Sequence, residues 1–85
     1  MSNKKVPQNL GSKLERIRLH LGYSLDEMAE AVDQVGISKR SRVYEWENGI
    51  RQPGLLNILA YAKLIGISTD ILLDDSLQLE IIKKR

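Results

Sequence analysis

The chain has 85 residues, and its 13 Lys and Arg against 11 Asp and Glu leave a formal charge of +2. This length fits one domain with one small core. The lack of cysteine excludes disulfides and thiolate metal sites. Hydrophobic residues make up 42% and charged residues 28%, a balance typical of globular rather than disordered chains. No stretch reaches the ~20 apolar residues of a membrane span, and no signal-peptide pattern is present.

Apolar residues recur at helical spacing between residues 10 and 73, which predicts an all-α fold. The first stripe ends before Gly22, a residue suited to closing a helix in the left-handed conformation. Ser24 and Glu27 have the spacing of a capping box, so a second helix is predicted from this point. The apolar positions of these two helices are Leu10, Leu14, Ile17 and Leu21, then Leu25, Met28, Ala29 and Val32.

Three more short helices are predicted after a turn over residues 33–37. The residues that begin or end them are, in chain order, Ser38, Asn48-Gly49, Pro53-Gly54, Gly66 and Ser68. Helices this short are only marginally stable in isolation, so they must pack around a shared core. The predicted core comprises Leu14, Ile17, Leu21, Met28, Ala29, Val32, Val43, Trp46, Leu55, Ile58, Ala62, Ile65 and Leu72.

The chain is predicted to divide into three parts. Residues 1–9 are polar and form a flexible arm, residues 10–73 form the helical domain, and residues 74–85 form a C-terminal tail. The fifth helix and the tail hold more apolar residues than one small core needs, so a homodimer contact is expected there. The alternatives are that the tail folds back on its own monomer or is disordered. The residues concerned are Ile67, Ile71, Leu73, Leu77, Leu79, Ile81 and Ile82.

Positive charge is concentrated where the third helix begins. Lys39, Arg40 and Arg42 crowd its first turn, although a helix N-terminus already carries partial positive charge and favours acids. A polyanionic partner would explain this placement, because phosphate gains from the cations, the dipole and the unpaired N–H groups together. A merely solvated helix start is the other interpretation of these charges. The second helix and the residues after the fourth are acidic, so the molecule is expected to be polarised.

The segment that begins at Ser24, with SKRSRVYEWENG over residues 38–49 and Pro53, resembles the XRE/Cro-type helix-turn-helix family. The resemblance extends over about residues 10 to 73 and implies a lambda-repressor-like bundle of five short helices with a short C-terminal extension. It also implies sequence-specific binding of double-stranded DNA by a small transcriptional regulator, expected to be a dimeric repressor. One departure is a turn longer than the common form by about four residues, among residues 33–39. This insertion leaves the start of the third helix open.

The resemblance assigns roles to individual residues. The third helix would be the recognition helix in the major groove. Its base-reading positions fall on Arg40, Ser41, Arg42 and Glu45, whereas Val43 and Trp46 face the core. Arginine can donate twice to guanine, and glutamate can accept from a cytosine amino group. The expected phosphate contacts are Ser24, Lys39, Tyr44, Asn48, Arg51 and Gln52.

Arg18 and Glu47 match positions that form an ion pair between the first and third helices in related repressors. A partly buried pair of this kind would fix the recognition helix relative to the rest of the bundle.

Two other classes of function compete with DNA binding. Catalysis is disfavoured, because His20 is the single histidine and no acid–base pair, metal-ligand spacing or phosphate-binding glycine loop accompanies it. No cofactor or metal is therefore expected. An antitoxin or protein-interaction module could keep the same fold, since fold does not imply function. The arginines of the third helix favour DNA, and a cytoplasmic protein that associates with the nucleoid is expected.

Overall fold

A computed structural model describes residues 7–33 and 39–81, and within these ranges all regular structure is helical. The five helices are α1 (Leu10–Leu21), α2 (Leu25–Ala31), α3 (Arg40–Glu47), α4 (Leu55–Ile65) and α5 (Thr69–Leu73). The predicted all-α bundle of five short helices is confirmed. Residues 34–38, most of the predicted N-terminal arm and the last four residues lie outside the described ranges, so the predicted insertion among residues 33–39 falls mostly outside them.

The helix ends follow local chemistry that the sequence already carries. Gly22 and Gly66 close α1 and α4 with φ of 75° and 71°, a left-handed conformation that costs glycine little. At the start of α2, the Ser24 hydroxyl accepts from the Glu27 N–H while the Glu27 carboxylate accepts from the Ser24 N–H, which completes the capping box. Ser68 caps α5 through the Asp70 N–H.

The third helix begins differently from the prediction. Lys39, rather than Ser38, occupies its N-cap position, and the Lys39 side chain makes no capping hydrogen bond. Lysine has no acceptor to offer there. The start of α3 therefore has a cation at the position where a capping acceptor usually lies.

The core gathers one face of each helix. Its buried hydrophobic residues are Leu10, Leu14, Ile17, Met28, Ala29, Val32, Val43, Trp46, Ile58, Ala60, Tyr61, Ala62, Leu72 and Leu79. Most of the predicted core is present, but Leu55 is 81% exposed and the prediction for it was wrong. Leu55 is the first residue of α4, where the helix has not yet reached the bundle interior. Leu21 and Ile65 are partly buried and pack against the edge of the core.

The described part of the tail folds back on its own monomer. Leu79 is buried in the core, and Lys13 of α1 donates from Nζ to the carbonyl oxygens of Ile71, Asp74 and Leu77 at 2.7, 3.1 and 3.0 Å. The Asp75 carboxylate accepts from the backbone N–H groups of residues 8 and 9 at 2.7 and 3.0 Å. These bonds fasten residues 74–77 to the beginning of the bundle.

Much of the apolar surface expected at a tail-mediated dimer contact is used within the monomer. Leu79 is buried, and Ile67, Ile71 and Ile81 pack against the core. Leu73 and Leu77 are exposed, and Ile82 lies outside the described residues.

No helix in the described ranges is long and apolar enough to cross a membrane.

Candidate nucleic-acid interface

The outer face of α3 carries most of the residues expected to meet DNA. Arg40, Ser41 and Arg42 are exposed on its first turn, directly after the exposed Lys39. Tyr44 is also exposed, and Glu45 is half-buried. The first turn contains no acidic residue. This end of α3 therefore combines three cations with the positive end of the helix dipole, an arrangement that attracts phosphate-bearing polymers.

The inner face of α3 fixes the helix in the bundle. Val43 and Trp46 are buried, and the Trp46 ring packs edge-on against Tyr61 of α4, with 6.3 Å between centroids and 71° between planes. Such edge-to-face pairs contribute about 0.5–1.5 kcal/mol beyond the area that they bury. Burial raises the pKa of Tyr61 above its ordinary value, and the nearby Glu47 carboxylate adds to this effect. Tyr61 is thus a neutral core residue rather than part of the polar interface.

A bidentate ion pair joins the last residue of α3 to α1. Arg18 donates from Nε to Glu47 Oε2 at 2.6 Å and from Nη2 to Glu47 Oε1 at 3.0 Å. Its Nη1 donates to the Tyr23 carbonyl oxygen at 3.1 Å, so the guanidinium also holds the loop between α1 and α2. The side chains are only 14% and 5% exposed, and the hydrogen bonds to Glu47 raise the pKa of Arg18. The pair is the one that the resemblance implied.

Gly11 allows α1 to approach the end of α3 closely. A Cβ at this position would lie 2.6 Å from the carbonyl oxygen of Glu47 and 3.0 Å from that of Trp46. Both neighbours are backbone atoms, which cannot move aside without displacing α3. Sequence reasoning missed Gly11, because a glycine inside a helical stripe shows no partner until the helices are placed.

Arg40 on the outer face of α3 has a weak partner in α2. Arg40 Nη1 lies 3.7 Å from Asp26 Oδ2 of α2, and both side chains are largely exposed. An exposed pair at this distance contributes little to stability, so DNA can displace it at small cost.

Two of the residues predicted to contact DNA, Glu45 and Arg51, form an ion pair with each other. Arg51 Nε donates to Glu45 Oε1 at 2.9 Å, across the turn that ends α3. Glu45 was expected to read a base and Arg51 to contact phosphate. This bond uses one of the five N–H donors of the guanidinium, so Arg51 can hold Glu45 and still donate to a phosphate.

The loop after α3 lies beside the beginning of α1. Asn48, Arg51 and Gln52 line a groove of about 550 Å³ together with Ser12 and neighbouring residues of α1. Asn48 donates from Nδ2 to the Tyr44 carbonyl oxygen at 2.8 Å, which ties the loop to the helix end. The three phosphate candidates therefore form one polar surface.

Ser24 is placed apart from that surface, at the N-terminus of α2. Its hydroxyl oxygen accepts the capping bond from the Glu27 N–H, and the O–H can still donate to a phosphate. The Glu27 carboxylate lies at the same helix end and adds negative charge there. Ser24 is consequently the least favourably placed of the predicted phosphate contacts.

Within the described ranges, no cluster of histidine, aspartate and glutamate could hold a metal ion. His20 is exposed on α1. Lys4 and Lys5, the cations of the N-terminal arm, lie outside the described residues.

The helix-turn-helix family model of the XRE type matches residues 14–72, well over half of the chain. The chain belongs to this family. It is therefore a DNA-binding domain of the kind found in transcription regulators. The match begins inside α1 and ends at Leu72 of α5, so it includes α2, α3 and the ion pair between Arg18 and Glu47.

A solved structure gives the same fold. A chain in the complex of SinR protein with SinI protein superposes with a TM-score of 0.64 at 24% sequence identity, over 79% of this chain and 62% of that chain. The XRE domain thus spans about three-fifths of the length of that chain. The comparison with curated proteins gives no match.

Proposed function

We propose that this XRE domain binds a specific double-stranded DNA sequence with α3 in the major groove and acts as a transcriptional repressor. The observation that carries the proposal is the division of α3 into two faces. Val43 and Trp46 are buried, while Arg40, Ser41 and Arg42 are exposed at the end that would enter the groove. Family membership supports DNA binding rather than catalysis, and binding within a promoter would exclude polymerase.

Base reading is assigned to Arg40, Ser41, Arg42 and Glu45. The arginine forks match the two acceptors of guanine, and the Glu45 carboxylate matches the cytosine amino group. Arg51 holds the Glu45 carboxylate at 2.9 Å and so restricts where that acceptor can point. Each well-made contact is worth roughly 1–3 kcal/mol of discrimination between bases.

Phosphate contacts would set the register of α3 on the duplex. The candidates are Lys39 before the helix, Tyr44 on it, the loop residues Asn48, Arg51 and Gln52, and Ser24 at the start of α2. The positions of these residues support the assignment. The loop residues line one groove beside α1, and Lys39 and Tyr44 are exposed at the start of α3 and on its surface. Such contacts add affinity for every sequence and make binding dependent on salt.

We also propose that the protein binds as a homodimer. Helix-turn-helix dimers read two half-sites one helical turn apart, about 34 Å, on the same side of the duplex. A single α3 of eight residues reads few base pairs, so a second copy would supply the remaining specificity.

Selection of bound sites from random duplex DNA tests this function. The expected result is an enriched inverted repeat whose two halves are separated by about one helical turn. Recovery of unenriched sequence, with the same affinity for scrambled duplexes, would contradict specific reading. That outcome would favour the protein-interaction module or antitoxin.

A further inference from the structure

Gly11, the second residue of α1, is a glycine that the helix itself does not require. Its backbone is helical, and it is not among the glycines with a positive φ. Glycine loses more backbone entropy than alanine when it adopts a helical conformation. The reason for a glycine at this position therefore lies in the part of the molecule that approaches it.

The backbone of α3 occupies the space that a side chain at residue 11 would need. A Cβ there would lie 2.6 Å from the Glu47 carbonyl oxygen, closer than a Cβ atom approaches another heavy atom, and 3.0 Å from the Trp46 carbonyl oxygen. Ordinary contact begins at 3.4 Å, so a side chain at residue 11 would force α1 and the end of α3 apart by about 0.8 Å.

We propose that Gly11 is a positioning residue for DNA reading. Because it has no side chain, the last turn of α3 can rest directly on the backbone of α1, and this contact sets where the base-reading side chains lie. The inference rests on the proposed function and extends it to a residue that has no side chain to offer to DNA.

The beginning of α1 is the less movable side of the contact. Lys13, only 5% exposed, donates from Nζ to three backbone carbonyls of α5 and the tail. The Asp75 carboxylate accepts from the N–H groups of residues 8 and 9, just before the helix. These bonds lie on both sides of Gly11 along the chain. A displacement of α1 would have to break them.

The other side of the contact, α3, is attached mainly at the end that meets Gly11. The Trp46 ring packs against α4, and the Glu47 carboxylate is paired with α1. At the opposite end, the Lys39 side chain makes no capping hydrogen bond, and Arg40 has only its exposed ion pair at 3.7 Å. A force on the last two carbonyls should therefore shift or tilt α3 as a unit and carry its first turn with it.

A shift of this size affects base contacts and phosphate contacts differently. A side-chain hydrogen bond needs about 2.7–3.2 Å between heavy atoms and is lost near 3.6 Å, so a displacement of about 0.8 Å is enough to break it. The attraction between a cation and a phosphate falls slowly with distance. Misplacing α3 should therefore lower sequence preference and leave the affinity for unrelated DNA nearly unchanged.

Gly11→Ala tests this role by equilibrium binding to a selected and a scrambled duplex. The ratio of the two affinities should fall by roughly tenfold or more, because base contacts are lost. The affinity for the scrambled duplex should stay within about twofold of the wild-type value, and the slope of log K against log salt should not change. Urea unfolding at the same temperature gives the folded fraction, by which both affinities are corrected.

Gly54→Ala is the matched control. It makes the same chemical change at the N-cap of α4, where φ is −75° and a Cβ would meet only the Asn57 Oδ1 atom, at 3.4 Å. This contact is an ordinary one, so neither helix has to move. The control should keep the wild-type ratio of affinities.

The amide ¹H–¹⁵N NMR spectrum of Gly11→Ala measures the displacement without DNA. Resonances along the whole of α3 and in the loop after it should move, including those of its first turn, far from the substitution. Changes confined to α1 and the tail would show that α1 yields instead of α3, which would contradict the inference.

Three binding results would also overturn it. A Gly11→Ala variant could keep the wild-type ratio, could bind both duplexes more weakly by the same factor, or could fail to fold at low temperature. In the last case, the strain is not taken up by a displacement of α3. A wild-type chain without preference between the duplexes would refute the proposed function and this inference together, whereas a wild-type preference that survives Gly11→Ala would refute this inference alone.

Discussion

At the residue scale, the ion pair of Glu45 and Arg51 joins the two residues to which we assign different kinds of DNA contact. Glu45 is half-buried and held at 2.9 Å, as a base-reading acceptor needs to be, whereas Arg51 is more exposed and keeps further donors. Changing one residue should therefore alter sequence preference, and changing the other should mainly alter electrostatic affinity.

Glu45→Gln should lower preference at one base step by roughly 1–3 kcal/mol and leave the salt dependence unchanged. Arg51→Ala should make the negative slope of log K against log salt less steep by roughly 0.9, on selected and scrambled duplexes alike. Fluorescence anisotropy over a salt series measures both quantities. Arg16→Ala removes one positive charge from the exposed side of α1 and is the control. An unchanged slope in Arg51→Ala would contradict its phosphate contact.

Glu47→Gln tests the ion pair that fixes α3. The substitution keeps the size of the side chain but leaves the Arg18 guanidinium without its carboxylate. Loss of one partner of a buried pair costs about 3–5 kcal/mol, and the 14% exposure of Arg18 puts the expected loss at or below the lower end. Urea unfolding followed by circular dichroism measures it. A loss below about 0.5 kcal/mol would place the pair among ordinary surface pairs.

At the element scale, the sequence predicted most helix boundaries because they depend on neighbouring residues. The capping box of Ser24 and Glu27 and the glycines that end α1 and α4 are local signals, and the structure contains all of them. The start of α3 was predicted one residue early, because a serine was favoured as cap over Lys39.

Several features that depend on contacts between elements were missed, although the resemblance implied the ion pair of Arg18 and Glu47. Leu55 continues the apolar stripe of α4, but the stripe does not show where the helix leaves the bundle. Lys13 is buried because its ammonium group bonds three carbonyls of α5 and the tail, and these partners are more than 50 residues away. The resemblance predicted which residues of α3 face outward, whereas the bond between Glu45 and Arg51 could be seen only in the folded structure.

The attachment of the tail to the residues just before α1 should make the stability of the fold depend on pH in the acidic range. The N–H groups of residues 8 and 9 bond the Asp75 carboxylate and lower the pKa of Asp75 below its ordinary value. A carboxylate whose pKa is lower in the folded than in the unfolded chain stabilises the fold at neutral pH. This stabilisation begins to fall once the pH drops below the ordinary aspartate pKa of about 4, and it is lost as the pH passes through the lower pKa of the folded state. Asp75→Asn should therefore lower the melting temperature at pH 7 more than at pH 3.

Thermal unfolding at several pH values measures this difference. Glu30→Gln removes an exposed carboxylate of α2 and is the control. An equal change in melting temperature at pH 7 and pH 3 for Asp75→Asn would show that the charge of Asp75 does not hold the tail.

At the scale of the whole molecule, the formal charge of +2 says little until the charges are placed. Lys39, Arg40, Arg42 and Arg51 lie along α3 and its following loop, while α2 and the segment from Asp70 to Glu80 are acidic. We expect the acidic faces to limit binding to unrelated DNA and to favour one orientation on the duplex.

The most direct test of the central claim is the affinity ratio of a selected duplex to a scrambled duplex at one salt concentration. We expect the double variant Arg40→Ala/Arg42→Ala to lose at least a tenfold preference, because two base contacts of roughly 1–3 kcal/mol each are removed. Arg16→Ala should keep the wild-type ratio. A double variant that retains the full preference would contradict the assignment of α3 as the helix that reads DNA.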